Sequence, residues 1–427
     1  MESKPLILYC GNFLFPDGDA AAARVLGIGC ALRDSGYEVL FGGGESEGRA
    51  QDRTPSGAYV YRGFPYKSQG ALARGDGRGL RRLVQIAEYG TQVAHWVQSY
   101  RGSPLAAVIA YAPTTPATRS LRHVTRNLGV PLLLDLTEWH TGDTLPGGAL
   151  GYRNFDSQLR MRLLYPRADG VIAISSLLQR HYHAAGCDAI RVPPLVDLED
   201  PKWSSGYWAP SDALRLVYAG NPGNKDLLGA IIRAVVNPRY RTRRVELHLV
   251  GPSPEQAQAM AGCHLTSSFG KGAAVLCHGR LPQEQVPPFI AGMDFTVLLR
   301  RNDRNANAGF ATKLVESLSS GVPAIANATS DIAEFIRHGQ EGLIVRGSTA
   351  EALATTLDEA AALDPCDLAR LRCCAKQRAR QVFDYRNYRA GISNLVERAG
   401  TTLSAATRGT HRNSFRPIFS SRTDKRA

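Results

Sequence analysis

Residues 307–323 of this 427-residue chain read NAGFATKLVESLSSGVP, a glycine turn that opens a helix, followed by the helix stop Gly321-Val-Pro323. Backbone N–H groups at such a helix start have no partner within the helix, and the helix dipole makes that end positive, so it favours a phosphate. Lys313 and Glu316 lie three positions apart and share one helix face. We expect Lys313 to meet a phosphate and Glu316 to accept hydrogen bonds from a ribose; the alternative is an ordinary helix with a surface Lys–Glu pair.

A second glycine-rich turn lies earlier in the chain. Residues 217–226 read VYAGNPGNKD, in which an apolar strand ends at Gly220 and Lys225 stands at the start of the next helix. A cation at this point can bind an anionic ligand, and the alternative is a plain strand–turn–helix with a solvated lysine.

Short apolar runs alternate with amphipathic segments along the whole chain, which predicts an α/β fold with parallel sheets. The predicted strands are 6–9, 38–42, 107–110, 132–136 and 170–174 in the first half, and 214–218, 245–250, 274–277, 295–299, 324–325 and 342–345 in the second. The predicted helices are 20–35, 80–98, 226–236, 282–290, 311–319, 332–337, 349–363 and 370–398, with a loop over 11–19.

Two domains are expected, because 427 residues exceed the usual size of one core. A stretch rich in Pro, Ser, Gly and Trp predicts a linker at 196–210 between an N-terminal domain, 1–195, and a C-terminal domain, 211–370. A helical segment over 371–407 and a basic, disordered tail over 408–427 follow. Two such sheets face each other across a central cleft, and ligands bind at the carboxyl ends of the strands.

Composition is that of an ordinary globular enzyme, with 44% hydrophobic and 21% charged residues. We find no apolar run long enough for a membrane span, and the first apolar segment reads as a strand rather than a signal peptide. Eight scattered cysteines without a C-x-x-C pair predict free thiols in a reducing compartment, hence a cytoplasmic location, and disfavour a metal or disulfide framework.

The net charge of +13 predicts contact with something anionic. Basic residues concentrate in the tail and in residues 62–82, and both could face anionic lipid, nucleic acid or only solvent. A nucleic-acid binder is disfavoured, because these residues are not interleaved with aromatics and no zinc or helix-turn-helix signature is present.

A polar cluster follows the strand predicted at 132–136. The residues after it include Glu138, Trp139, His140 and Asp143. Since strand ends face the cleft of such folds, this cluster is a candidate substrate site; the alternative for a single histidine is a structural role.

The stretch 307–323 resembles the donor-site signature of the retaining group 1 glycosyltransferases, which have the GT-B fold of two Rossmann-like βαβ domains. That family usually has two glutamates eight positions apart, with Gly-Phe after the first. Gly309, Phe310 and Glu316 match the pattern, whereas Ala308 replaces the first glutamate, which lies near the transferred sugar in the family. At the earlier turn Lys225 matches, but Asn221 stands where the family has an arginine; the candidates to replace that cation are Arg300, Arg301 and Arg304.

The resemblance assigns expected roles to these residues. Those expected to bind the donor are Gly18, Gly220, Asn221, Lys225, Gly309, Phe310, Ala311, Thr312, Lys313 and Glu316. Expected catalytic residues are His140, Lys225 and Lys313, and Glu138, Trp139 and Asp143 are expected on the acceptor side.

The resemblance implies transfer of a sugar from a nucleotide-sugar donor to a glycan or lipid-linked acceptor on the N-terminal domain, with retention of configuration, in polysaccharide biosynthesis. It implies no obligatory metal or other cofactor and no nucleic-acid partner; Asp17 and Asp19 have the spacing of a metal-binding pair but read as a turn. Residues 62–82 are expected to place the protein peripherally on the anionic inner face of the membrane. Two alternatives remain: an inactive GT-B partner protein, suggested by Ala308 and Asn221, and a nucleotide-sugar epimerase of the same architecture.

Overall fold

The computed structural model describes residues 4–45, 59–69, 80–142, 145, 147–236, 243–265 and 272–413. It contains two separate sheets, one of eight and one of six strands, with helices packed against both. Every described strand pair except one is parallel, which confirms the predicted α/β class.

The first sheet belongs to the N-terminal half. Its strands are β1 Leu6–Phe15, β2 Glu38–Glu45, β3 Tyr59–Tyr61, β4 Phe64–Ser68, β5 Leu105–Tyr111, β6 Leu132–Leu136, β7 Gly170–Ala173 and β8 Ala189–Arg191. They lie in the order β3-β4-β2-β1-β5-β6-β7-β8, with β3 antiparallel to β4. The helices that follow these strands are α1 Ala20–Asp34, α2 Leu80–Gln98, α3 Thr115–Leu128, α4 Tyr152–Leu159 and α5 Ser176–Ala184.

The second sheet belongs to the C-terminal half. Its strands are β9 Ala213–Ala219, β10 Arg244–Val250, β11 Ala273–Gly279, β12 Phe295–Leu298, β13 Ala324–Asn327 and β14 Gly342–Val345, in the order β11-β10-β9-β12-β13-β14. Its helices are α6 Leu228–Val235, α7 Pro254–Ala261, α8 Val286–Ala291, α9 Arg304–Ala308, α10 Thr312–Ser319, α11 Ile332–Phe335, α12 Ala350–Ala361 and α13 Pro365–Val382. The last helix of the chain, α14, spans Arg389–Asn413.

The prediction of one helix over 370–398 is wrong. The chain leaves α13 at Val382, makes a 3-10 turn over Tyr385–Tyr388, and then starts α14. Asp384 caps that turn by accepting a hydrogen bond from the Arg386 N–H at 2.9 Å. The break carries the chain from one half of the protein back to the other.

The predicted loop over 11–19 is also partly wrong, because β1 continues to Phe15. Phe13 and Phe15 are fully buried, and the Phe15 ring stacks on Phe41 of β2 with centroids 4.6 Å apart. The turn begins only after these anchors, and Asp19 then caps α1 by accepting from the Ala22 N–H.

A buried ion pair holds the first sheet to α1. The Arg24 guanidinium donates to both carboxylate oxygens of Asp135, the shortest contact being 2.7 Å, and the Tyr9 hydroxyl donates to the same carboxylate at 2.6 Å. Arg24 also donates to the Val192 carbonyl at 2.9 Å. Burial and the neighbouring Asp135 charge raise the pKa of the Tyr9 hydroxyl, so it stays a proton donor.

The chain crosses twice between the halves, and the two crossings bond to each other. The Val196 N–H donates to the Phe383 carbonyl at 2.9 Å, and the Tyr385 N–H donates to the Val196 carbonyl at 3.1 Å. After the second crossing α14 packs on the first sheet rather than the second. Its buried side chains there are Ile392, Leu395, Val396 and Ala399.

The basic segments are described only in part. Helix α14 runs to Asn413, so the start of the predicted disordered tail is helical, and residues 414–427 lie outside the described residues. Within 62–82, Arg74 and Arg78 also lie outside them. In the described part of the chain, no helix combines the length and apolarity of a membrane span.

Candidate functional site

A groove of about 350 Å³, called here the C-terminal groove, lies where the two halves face each other. The C-terminal half lines it with residues 221–226 and 310–313 and with Leu298, Arg300 and Asn305. Glu138 and His140 line it from the N-terminal half. The two stretches singled out in the sequence thus form its walls.

Two glycines allow lysines to enter this groove. Gly220 has φ +109°, and a side-chain carbon there would lie 3.1 Å from Cε of Lys313. A side-chain carbon on Gly309 would lie 3.2 Å from the Lys225 ammonium. Both positions therefore favour glycine, one for its backbone conformation and both for the approach of a cation.

Lys225 bridges the two halves across the groove. Its ammonium donates to Oε1 of Glu138 at 2.6 Å, and His140 Nε2 lies 2.9 Å from the other carboxylate oxygen. Desolvation opposes ionisation of Glu138, but the His140 hydrogen bond and the Lys225 charge prevail and lower its pKa to about 2. Since an ammonium has three N–H donors, Lys225 keeps donors for a ligand.

Asp226 forms ion pairs with two cations on the other side of the groove. It accepts from the Lys313 ammonium at 2.9 Å, from Arg300 Nε at 3.2 Å and from the Tyr218 hydroxyl at 2.7 Å. Desolvation works against its charge, yet Lys313 holds the Asp226 pKa below its usual range. Nη1 of the buried Arg300 has no hydrogen-bond partner among the described residues. This cluster carries two cations on one carboxylate, so it has a positive surplus.

The start of α10 opens onto the same groove. Ala311 is its N-cap and makes no side-chain capping bond, while Phe310, Ala311, Thr312 and Lys313 line the groove. The first-turn N–H groups and the positive end of the helix dipole therefore add to the field of Lys313.

Glu316 lies apart from the residues that line the groove. It is half-buried one turn further along α10, and desolvation raises its pKa while the charges of Lys313 and Lys202 oppose that change. Glu316, the residue expected to contact a ribose, therefore lies near Lys202 of the linker and not on the groove wall.

Ala308 stands at the position of the missing glutamate and forms a contact between the two halves. It is fully buried, and its carbonyl accepts a hydrogen bond from the Ser175 hydroxyl at 2.8 Å. One helical turn earlier, Asn305 lines the groove, is only 3% exposed, and has no described partner for Oδ1. An unpaired buried acceptor of this kind costs stability unless a ligand supplies the donor.

A second space, called here the N-terminal cavity, has a volume of about 240 Å³ and shares Glu138 and His140 with the groove. Its walls come from β1, α2, the end of β5, α3, the end of β6 with the residues after it, and α4 with the segment that follows it. They are largely aromatic and aliphatic and include Tyr89, Val93, Leu121, Met161 and Tyr165. The two spaces therefore meet at one carboxylate–imidazole pair.

Polar side chains also line the N-terminal cavity, among them Asn12, Thr114, Thr137 and Ser157. Among the described residues the buried Tyr89 hydroxyl has no hydrogen-bond partner. Arg160 is held by Asp156 at 2.8 Å and by the Tyr165 hydroxyl at 2.8 Å. Burial raises the pKa of the Cys10 thiol to about 12, so Cys10 is a neutral wall residue and not a nucleophile.

Besides Glu316, two predicted site residues are not placed as expected, and a third lies outside the described residues. Gly18 is in the exposed turn after β1 and lines neither space; Gly11, with φ +153°, is the glycine that reaches the cavity. Trp139 is not on the acceptor side but is buried between the halves, 4.5 Å from the His181 ring and under the Arg304 guanidinium. Asp143 lies outside the described residues.

Sequence reasoning missed Asp226, Asn305 and Arg160. Asp226 directly follows Lys225, so its carboxylate beside a predicted phosphate lysine was an available signal. The spacing of Ser157, Arg160, Met161 and Tyr165 could not be assigned to a cavity without knowing which helix face is buried.

Two family models match the chain. Residues 19–195 match the glycosyl transferase 4-like domain, and residues 213–362 match the glycosyl transferases group 1 domain. No curated protein sequence matches the chain.

Solved structures share its fold at low identity. One is Anabaena Alr3699/HepE in complex with UDP and glucose, with 18% identity, a TM-score of 0.59, and coverage of 93% of this chain and 99% of that chain. Another is sucrose-phosphate synthase from Thermosynechococcus elongatus, with 15% identity, a TM-score of 0.66, and coverage of 95% and 100%. A trehalose-6-phosphate synthase, OtsA, has 11% identity, a TM-score of 0.68, and coverage of 92% and 98%. These full-length matches confirm the predicted GT-B fold.

Proposed function

The chain is a glycosyltransferase with a glycosyl transferase 4-like domain and a group 1 domain, and we propose that it transfers a sugar from a nucleotide-sugar donor to a glycan or lipid-linked acceptor with retention of configuration. The observation that carries this proposal is the C-terminal groove. There Lys225, Lys313 and the uncapped start of α10 converge on one space. The Anabaena structure with UDP and glucose has the same fold and supports this class of donor.

The chemistry follows from where charge develops. Breaking the anomeric C–O bond leaves negative charge on the nucleoside diphosphate and positive character on the sugar. Donors already aimed at the departing phosphate stabilise that state by about 3–4 kcal/mol each without reorganising. Lys225 and Lys313 supply the charge, Arg300 is the candidate to replace the arginine missing at Asn221, and the proposal assigns no step to a metal or other cofactor.

In this proposal the donor and the acceptor meet beside His140 and Glu138. Both line the groove and the N-terminal cavity, so a sugar that leaves the groove meets the acceptor beside them. Because Lys225 and His140 hold Glu138 ionised, its negative charge lies near the positive sugar carbon. Asn305, with its unpaired Oδ1, is the nearest candidate for a sugar contact in place of the glutamate missing at Ala308.

The acceptor would occupy the N-terminal cavity. Its aromatic and aliphatic walls suit one face of a sugar ring, and the Tyr89 hydroxyl and Arg160 offer polar contacts. We place the enzyme in polysaccharide biosynthesis, in the cytoplasm and peripherally on the inner face of the membrane, where a lipid-linked acceptor would be met.

A second candidate is a GT-B-fold partner protein without transferase activity. The observation that favours it is the full burial of Ala308 in a contact with Ser175, which leaves no acidic side chain at the position of the family's first glutamate. Donor binding without turnover would select this candidate.

The test is a thermal-shift panel with UDP, GDP, ADP, CMP and NAD on the wild type, Glu316→Ala and, as a control, Glu255→Ala on the distant helix α7. A ligand at a hundred times its Kd stabilises the fold by about 2.7 kcal/mol. We expect one nucleoside diphosphate to stabilise the wild type and the control but not Glu316→Ala. No shift with any nucleotide would contradict the donor site. A nucleotide shift that persists in Glu316→Ala would instead show that Glu316 is not part of the donor site, in agreement with its position outside the groove.

A further inference from the structure

The segment around α4 exposes an unusual number of apolar side chains. Of the seven large hydrophobic residues exposed in the described part of the chain, four lie between residues 150 and 163. Leu150 is 101% exposed, Phe155 68%, Leu163 53% and Tyr152 50%. Single exposed hydrophobics are normal, but a local cluster marks an interaction surface.

Arginines border this cluster. Arg119, Arg122, Arg126 and Arg167 line one shallow surface groove between α3 and the turn after α4, and the exposed Arg162 lies next to Leu163. None of the five forms an ion pair with another residue in the described part of the chain. Partial burial and repulsion from Arg126 lower the pKa of Arg122, and the charge of Asp169 opposes this change.

The same segment also forms a wall of the N-terminal cavity. Ser157, Arg160, Met161 and Tyr165 line the cavity, whereas Phe155 and Leu163 face solvent. A π-helical turn over Arg160–Leu164 continues α4, so the two faces belong to one helical segment. A molecule held at the outer face would therefore be next to the acceptor side.

We propose that this surface, the α3–α4 face, rests on a bilayer that contains anionic lipids. Leu150, Tyr152, Phe155 and Leu163 enter the interfacial layer, and the arginines contact lipid phosphates. An apolar centre with a cationic border matches such a bilayer in both polarity and charge. The inference rests on the proposed lipid-linked acceptor for its purpose, because it brings the cavity wall to the layer in which that acceptor would lie.

This surface differs from the basic segment at 62–82. Arg62 donates to Asp200 of the linker at 2.7 Å, so its charge is already paired. Lys67 lies on β4 and Arg81 and Arg82 on α2, outside the arginine groove.

The experiment is co-sedimentation of the full chain with vesicles of phosphatidylcholine alone or mixed with phosphatidylglycerol, at low and high salt. The charge variant is Arg122→Gln/Arg126→Gln, with Arg280→Gln/Arg346→Gln on the C-terminal half as its matched control. The apolar variant is Phe155→Ser/Leu163→Ser, with Tyr207→Ser/Met260→Ser as its control. Each control changes the same number of residues of similar type; Arg126 and both control arginines are exposed, and Arg122 is half-buried.

We expect binding only to the mixed vesicles, falling steeply with salt. Partitioning should weaken roughly fivefold for each arginine removed and should also fall in the apolar variant, with both controls unchanged. Equal loss in the controls, or no binding of the wild type at low salt, would overturn the proposal. So would a dimer in solution that only the variants of this face convert to monomers, since a second copy would then be the occupant.

A nucleotide thermal shift on the same preparations separates this proposal from the proposed function. Vesicle binding without any nucleotide shift would keep the α3–α4 face and reject the donor site. A retained nucleotide shift without vesicle binding would reject the face alone.

Discussion

Two aspartates, Asp135 and Asp226, have similar hydrogen-bond partners but different roles. Asp135 accepts from the Tyr9 hydroxyl at 2.6 Å and from Arg24, and Asp226 accepts from the Tyr218 hydroxyl at 2.7 Å and from Arg300. The Asp135 cluster is closed: its acid is 0% and its arginine 3% exposed. The Asp226 cluster has one more cation, Lys313, whose side chain is 17% exposed in the C-terminal groove.

A structural ion pair and a binding site differ in the balance of their charges and in their access to solvent. One acid and one arginine satisfy each other, leave no surplus charge, and fix α1 to the first sheet. An acid with two cations keeps a positive surplus, and an open groove makes it available to an anionic ligand. The first cluster should therefore affect mainly stability and the second mainly ligand binding and turnover.

The largest expected effect is on the closed cluster. Arg24→Met leaves the Asp135 charge buried without a partner and should lower the free energy of unfolding by about 3–5 kcal/mol. Urea denaturation of the purified variant measures it, with Arg180→Met on the exposed face of α5 as the control. A variant as stable as its control would show that the pair is not structural.

The open cluster should behave in the opposite way. Lys313→Met removes an ammonium from the groove and should lower turnover of the nucleotide sugar by about 100-fold or more, through lost stabilisation of the leaving phosphate. Release of nucleoside diphosphate reports turnover, and urea denaturation reports stability. Lys67→Met, on β4 and away from the groove, is the control. A large loss of stability with unchanged turnover would reverse the comparison.

A smaller effect tests how the halves are held around the groove. Ser175→Ala removes the hydroxyl that caps α5 and donates to the Ala308 carbonyl, and should cost about 1 kcal/mol. The companion variant Ser253→Ala removes a cap from α7 within the C-terminal half. If the Ser175 contact also positions the groove, only Ser175→Ala should weaken nucleotide binding in the thermal-shift assay.

The smallest effect is a pH dependence at Glu138. Its folded pKa of about 2 lies below the unfolded value of about 4.3, so its stabilising contribution is present above pH 4.3 and is lost as the pH falls towards 2. Because the side chain is 43% exposed, solvent screening limits this contribution to under about 1 kcal/mol. Between pH 6 and pH 3 the free energy of unfolding, measured by denaturation, should fall slightly more for the wild type than for Glu138→Gln. Equal losses would mean that Lys225 and His140 do not hold Glu138 ionised.

Much of the fold could be predicted, because the buried strands are continuous apolar runs. The bounds predicted for 132–136, 342–345 and the helix 80–98 are those observed. The break after Val382 is favoured locally by the cap at Asp384, which sequence analysis overlooked, and by the tertiary burial of Phe383 and Tyr385, which the sequence does not show.

The candidate site divides in the same way. Most residues that line the groove belong to two contiguous stretches, 221–226 and 310–313, so a local pattern could point to Lys225 and Lys313. The N-terminal cavity collects short stretches from five parts of the chain, around Cys10, Tyr89, Tyr111, Glu138 and Arg160, and a local pattern marks only the stretch around Glu138. Trp139 was misplaced because the sequence does not show which side of the strand end faces the other half.

The return of α14 to the first sheet has a consequence for how the protein is made. Tyr385, Ile392 and Leu395 belong to the same buried cluster as Ile7 and Ile172. A ribosome therefore releases the whole second sheet before it supplies the helix that completes the first. The N-terminal half begins folding first and is finished last, and a fragment ending at residue 195 would leave that apolar face open to water and prone to aggregation.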